Sequence, residues 1–145
     1  MLKYMLDTNL CVRVLRKRPE ALRTKFNAEA SSLSISSIVL YELLYGAAKS
    51  ARPVENRNDV EAFAERLDVL EFDADAALHA GEIRAELERS GNPIGAYDLL
   101  IAGHTRSRGL IVVTNNVREF QRVDGLRVED WEAGGAQKLA SKRKR

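Results

Sequence analysis

The chain has 145 residues, 45% of them hydrophobic and 30% charged, which fits one globular domain and excludes a disordered or fibrous chain. Its single cysteine, Cys11, closes no intrachain disulfide, so a reducing, cytoplasmic setting is expected. The net charge of +2 belongs to the last ten residues, whose five basic side chains leave 18 basic and 21 acidic groups over residues 1–135; a generally basic body for nucleic acid is thereby excluded.

No stretch approaches the roughly 18 apolar residues of a membrane span, and the run from Met1 to Leu6 is too short for a signal peptide. Neither secretion nor membrane insertion is expected. Along the chain, short apolar runs alternate with helical patterns. Residues 3–6 form a first strand ending at Asp7-Thr8-Asn9, where Thr8 or Asn9 is expected to cap a helix over 10–17. Pro19 opens a second helix to about residue 28. The alternation over 33–38 predicts a second strand, followed by a helix over 39–49 that stops near Pro53. A charged amphipathic helix is expected over 58–67 and a third strand over 69–72. Residues 74–89 carry helical apolar spacing, with Gly91 just past their end. After the turn Asn92-Pro93-Ile94-Gly95 come a helix over 97–107, the most apolar strand over 110–114, and a weaker strand over 127–131. Strands separated by helical crossovers give a parallel sheet of about five strands with helices on both faces, the α/β class. Residues 1–132 make this domain, and 133–145, from around Gly134-Gly135 into the basic end, read as a linker and disordered tail.

In open α/β sheets, ligands gather beyond the carboxyl ends of the strands. Asp7 follows the first strand; Asn115 and Asn116 follow the fourth, with Glu119 about a turn later. Each alone also reads as an ordinary cap or turn residue. Glu42 interrupts the apolar run from Ile38 to Gly46, and a carboxylate buried there needs a cation, a donor or water beside it. The competing reading puts it on a solvated stripe. Asp98 sits in a first helical turn, where the helix dipole alone favours an acid. Neither of the common phosphate-binding glycine loops occurs. His79 and His104 read as surface or satisfied interior residues, and Cys11 as a packing residue.

The parallel topology can bring Asp7, Glu42, Asp98 and Glu119 to one crevice. Four such carboxylates repel and raise one another's pKa unless a cation neutralises them. Oxygen ligands without cysteine or paired histidine suit Mg²⁺ or Mn²⁺. A site of this kind activates water and clamps a phosphodiester, and the chemistry by itself does not separate RNA from DNA.

Four segments in order then carry a resemblance: Met5-Leu6-Asp7-Thr8-Asn9; Ile35-Ser36-Ser37-Ile38 leading to Glu42-Leu43-Leu44-Tyr45-Gly46; Gly95-Ala96-Tyr97-Asp98-Leu99-Leu100-Ile101-Ala102; and Val113-Thr114-Asn115-Asn116-Val117-Arg118-Glu119-Phe120. Together, over about residues 1–131, they resemble the PIN domain, and more narrowly the VapC-type toxins of bacterial type II toxin–antitoxin systems. The resemblance implies a compact α/β fold, Mg²⁺ or Mn²⁺ in an acidic pocket, and endoribonuclease activity that inhibits translation. By it, Asp7, Glu42 and Asp98 are the metal-binding acids, Asn116 and Glu119 complete the pocket, and Thr8 and Thr114 orient the carboxylates. Many PIN domains carry an acid where this chain has Asn116, which brings no charge to a second metal position. The resemblance also implies transfer RNA as target (the initiator tRNA anticodon loop among the candidates), a homodimer, inhibition by a VapB-type antitoxin, and operator DNA bound only through the antitoxin. The basic cluster Arg13, Arg16, Lys17, Arg18, Arg23 and Lys25 is expected to guide the RNA backbone to the metal; a solvated helix face or an antitoxin contact is the competing reading.

Two other readings compete with this one. A haloacid-dehalogenase type of phosphotransferase also has an aspartate after its first strand, but its chemistry wants a second acid two positions on, where this chain has Asn9. A catalytically inactive PIN-like binding or scaffold module fits best where pocket acids are lost, and here the main three are present.

Overall fold

The computed structural model describes residues 1–17 and 19–132 and, for Gln137–Ala140, the backbone. Five short strands, β1 (Tyr4–Leu6), β2 (Leu33–Ser36), β3 (Asp68–Leu70), β4 (Ile111–Val113) and β5 (Arg127–Asp130), pair in parallel in the order β3-β2-β1-β4-β5. A further strand, β6 (Gln137–Ala140), pairs antiparallel with β5. It lies within the stretch expected to be linker and tail; residues 133–136 and 141–145 lie outside the described residues.

The helices between the strands are α1 (Thr8–Leu15), α2 (Glu20–Ala28), α3 (Ser37–Ala48), α4 (Pro53–Ala64), α5 (Ala74–Arg89), α6 (Ala96–Ser107) and α7 (Val117–Phe120). The expected α/β class is the observed one. Strands β1 and β4 are buried along their whole length, as befits central parallel strands covered on both faces. The core gathers Leu6, Ile35, Ile101, Val112, Val113 and Phe120 around them. Among the described residues, no helix is long and apolar enough to cross a membrane.

The chain lays β1, β2 and β3 outward in one direction, then returns to place β4 and β5 on the other side of β1. Strand order therefore reverses between β1 and β4, and the crevice beyond their carboxyl ends is the place where such sheets bind ligands. Asp7 continues β1 into that crevice, its N–H donating to Val113 O at 3.1 Å. Thr114 extends β4 in the same way, its N–H donating to Glu129 O at 3.0 Å.

Three local expectations need correction. The cap of α1 is Asp7, neither Thr8 nor Asn9: its carboxylate accepts from Leu10 N at 2.9 Å, an acid at a helix N-terminus satisfying an orphan donor. Helix α4 begins at Pro53, five residues before the expected start, because proline suits a first helical turn as readily as it ends a helix. Helix α7 is too short to show periodicity and was not anticipated.

Helix α6 carries Asp98 and is seated by a close approach. A Cβ added at Gly103 would lie 2.6 Å from the backbone of Ala80 on α5, a contact that no side chain tolerates. Gly103→Ala is expected to lower the midpoint of thermal unfolding, since overpacking costs ~1–3 kcal/mol and outweighs the ~1 kcal/mol gain in helix propensity. An unchanged or raised midpoint would show that α5 and α6 are free to separate.

Candidate active site

Asp7 is only 2% exposed. Its two oxygens are held by different elements: Oδ1 accepts the Leu10 amide and Oδ2 the hydroxyl of Thr114. Thr114 is in turn fixed because its Oγ1 accepts the Asn116 amide at 2.8 Å. Glu42, half-buried on α3, accepts a hydrogen bond from Thr8 Oγ1, which places it next to Asp7. Asp98, half-buried in the first turn of α6, accepts from Asn116 Nδ2 at 3.1 Å. Glu119 on α7 lies beside Asp98, its Oε1 buried and without a hydrogen-bond partner among the described residues. The expected residues thus neighbour one another in pairs at the switch point, Glu42 and Asp98 each beside Asp7 and Asn116 and Glu119 beside Asp98, and the Thr8 and Thr114 hydroxyls donate to Glu42 and Asp7.

The electrostatics follow from the crowding. Burial pushes the Asp7 carboxyl up to about 6, with the Glu42 and Glu132 charges adding to the rise and the Thr114 and Leu10 hydrogen bonds opposing it. Asp98 is also raised to about 6, first by burial and then by the charges of Asp7 and Glu119. Among the described residues, no three carboxylates, histidines or cysteines stand in a ready-made metal cluster. Three of the acids are instead turned onto neutral donors: Asp7 onto Thr114, Glu42 onto Thr8, Asp98 onto Asn116. The donor set still fits a hard divalent cation by type. It is all oxygen, burial first and neighbouring carboxylates second raise Asp7 and Asp98, and the buried Glu119 Oε1 has no hydrogen-bond partner among the described residues.

The basic cluster does not act as one unit. Arg13 forms an ion pair with Glu132, and Lys25 pairs with Glu29 at 3.4 Å and sits over the Trp131 ring. Arg16 stays exposed, and Lys17 closes α1 with a left-handed backbone, φ 62°. Arg18 lies outside the described residues. Arg13 and Arg16 line a polar cleft of about 450 Å³ with Asn9, Val12, Asn115 and Asn116, so this part of the cluster does adjoin the acids.

Two links between α3 and α6 escaped sequence reading. Inside, the fully buried His104 of α6 shares a 2.8 Å hydrogen bond with Ser36, whose Oγ also accepts the Ile38 amide and so caps α3. His104 Nε2 has no hydrogen-bond partner among the described residues, so the histidine is not the fully satisfied interior residue expected, and burial holds its pKa below the ordinary value. Outside, the Tyr41 and Tyr97 hydroxyls stand 3.2 Å apart, joining the residues that immediately precede Glu42 and Asp98. No local pattern ties positions 36 and 104. The only signal for the tyrosines is their matching place before each acid.

A doubly wound parallel sheet with carboxylates from β1, α3, α6 and α7 at its switch point defines the PIN-domain class. The PIN domain model matches residues 4–126. The tRNA(fMet)-specific endonuclease VapC of Salmonella typhimurium is 56% identical over 131 residues, 90% of this chain and 99% of that protein. Ribonuclease VapC2 of Haemophilus influenzae is 48% identical over the same length, again 90% and 99% of the two chains. Among solved structures, the DNA-bound VapBC from Salmonella typhimurium matches with a TM-score of 0.87 at 56% identity, covering 90% of this chain and 99% of that one. VapBC2 from Rickettsia felis, bound to a DNA fragment from its promoter, matches with 0.85 at 40% identity over 90% and 100%. The chain belongs to the PIN-domain family and, within it, to the VapC proteins.

The raised carboxyls fix how the metal-free protein responds to pH. Below pH 3.8 both the folded and unfolded states hold the Asp7 proton, and no penalty exists. As pH rises through about 6 the folded state must ionise a buried acid, and stability falls by on the order of 3 kcal/mol once ionisation is complete. The half-exposed Asp98 adds a smaller penalty in the same direction. Metal-free protein is therefore expected to melt lower at pH 7.5 than at pH 5, and Asp98→Asn to recover part of the loss. Circular-dichroism melts in a chelating buffer check this, and an Asp98→Asn variant that melts well below wild type at pH 7.5 would assign Asp98 a structural role instead.

Proposed function

We propose that this chain is the toxin of a type II toxin–antitoxin pair, a divalent-metal-dependent endoribonuclease that cuts transfer RNA and thereby inhibits translation. The observation that carries the reading is the confluence of Asp7 and Asp98 at the switch point, two acids raised to about 6 first by burial and then by neighbouring carboxylates, Glu42 and Glu132 for Asp7, Asp7 and Glu119 for Asp98. That arrangement is costly to keep unless a cation is meant to sit there. The Salmonella relative's name, tRNA(fMet)-specific endonuclease, supports tRNA as substrate, with the initiator tRNA anticodon loop the first target to test.

Asp7, Glu42 and Asp98 are the residues assigned to hold Mg²⁺, with Mn²⁺ as substitute, and Asn116 and Glu119 close the crevice. When bound, the ion supplies a water of lowered pKa and neutralises charge on the phosphodiester during in-line displacement. The chain's own residues prepare for this. Thr114 and the Leu10 amide fix the plane of the Asp7 carboxylate. Thr8 keeps Glu42 turned toward Asp7, and Asn116 does the same for Asp98. The uncharged Asn116 amide weakens any second cation position. Arg16, with Arg13 and Lys17 nearby, guides the RNA backbone past the crevice by neutralising phosphates.

The same reading includes a cytoplasmic protein, a homodimer, and neutralisation by a VapB-type antitoxin, with operator DNA reached only through the complex. The two VapBC complexes with bound DNA that this chain resembles support the antitoxin and the DNA arrangement. The inactive-module alternative draws on the absence of a preformed ligand cluster among the described residues. Purified chain freed of antitoxin separates the two. It is expected to cut structured RNA with Mg²⁺, and EDTA or Asp7→Ala is expected to reduce the rate at least about a hundredfold, in line with loss of metal-assisted charge stabilisation. RNA left intact by wild type across a tRNA pool with Mg²⁺ or Mn²⁺ would establish the inactive module.

A further inference from the structure

We propose that the cleft beside the acids is a ribonucleotide subsite in which the side-chain amides of Asn9 and Asn115 read one unpaired base next to the bond to be cut. This rests on the ribonuclease reading and extends it from phosphate attraction to sequence choice.

The cleft lies between the start of α1 and the loop after β4, with a volume of about 450 Å³, within the range of small-ligand pockets. Asn116 belongs both to its wall and to the acid crevice, where its amide donates to Asp98, so an occupant of the cleft is held directly beside the metal-binding acids. The polar groups of the wall divide in two. Arg13 is committed to Glu132, and Asn116 to Asp98. Asn9, Asn115 and Arg16 make no side-chain hydrogen bond or ion pair among the described residues. Among the described residues, no element of the fold draws on these three side chains: Asp7 already caps α1, and Asn115 is exposed in its loop.

What remains free is two amides, each with donors and an acceptor, one guanidinium, and the apolar surface of Val12. A lone anion would use the guanidinium and the amide N–H groups and leave the amide oxygens and the Val12 surface unused. A nucleotide uses all of them, its phosphate on Arg16, its base face against Val12 and its base edge on the amides. Asparagine amides pair with base edges through matched donor and acceptor atoms. In RNA that edge is open only on an unpaired base, which points to a loop rather than a helix as the segment bound.

The test uses antitoxin-free protein, Mg²⁺ and a stem–loop RNA library randomised through its loop, with cut ends sequenced. Wild type is expected to favour one base at a fixed distance from the cut. Asn9→Ala and Asn115→Ala are each expected to reduce that preference at least about fivefold, with unchanged melting temperature as for other exposed substitutions. Arg16→Ala is expected instead to lower kcat/KM about equally for every sequence and to flatten its salt dependence by about one phosphate contact. If both asparagine variants keep the wild-type preference, whatever their rate, this inference is overturned while the ribonuclease reading stands. A wild type that cuts without any base preference overturns it equally, and a wild type that cuts no RNA overturns both.

Discussion

Asp7 leaves β1 where the order of strands reverses, and its carboxylate is gripped there by the amide of the helix that follows it and the hydroxyl of Thr114 at the end of the neighbouring strand. A nearly inaccessible acid held this way has little water to solvate its charge. Burial raises it to about 6, so its charge is costly to hold unless a proton or a cation offsets it. The surrounding chain is arranged around that constraint. Thr8 brings Glu42 to one side, Asn116 steadies Asp98 on the other, and Glu119 adds an oxygen with no hydrogen-bond partner among the described residues.

Helices α3 and α6 carry two of these acids, and their relative position is set by more than apolar packing. The buried Ser36–His104 pair joins them below the crevice and the tyrosine pair joins them above it. Gly103 lets α6 come down onto α5 closely enough to reach this position. A crevice full of like charges pushes its walls apart, and polar links between the walls oppose that push where a purely apolar contact would slide. The function proposed for the site therefore depends on residues well outside it.

Much of this was legible in the sequence because strand ends and helix starts are local features. The acids at positions 7, 98 and 119 follow a strand, enter a helix, and follow a strand again, and a parallel sheet sends all such places to one edge. Glu42 was legible as a charge in an apolar run. What local pattern could not show were contacts between distant positions. Ser36 looked like one residue in an alternating strand and His104 like one more helical polar group, yet 68 positions apart they share a hydrogen bond. The cap of α1 was misplaced by a residue because three consecutive good capping residues, Asp7, Thr8 and Asn9, compete, and the strand's last hydrogen bond to Val113 decides among them. The basic cluster read as one surface, but Glu132, 119 positions from Arg13, neutralises part of it.

The most direct measurement is calorimetric titration of metal-free protein with Mn²⁺ at pH 6, repeated in two buffers of different ionisation enthalpy. Carboxyls poised near that pH must give up protons as the ion enters, so binding accompanied by proton release, and abolished by Asp7→Asn, is the expected result. Binding that releases no protons, or that survives loss of the Asp7 charge undiminished, would contradict the central claim that these acids are kept together for a divalent cation.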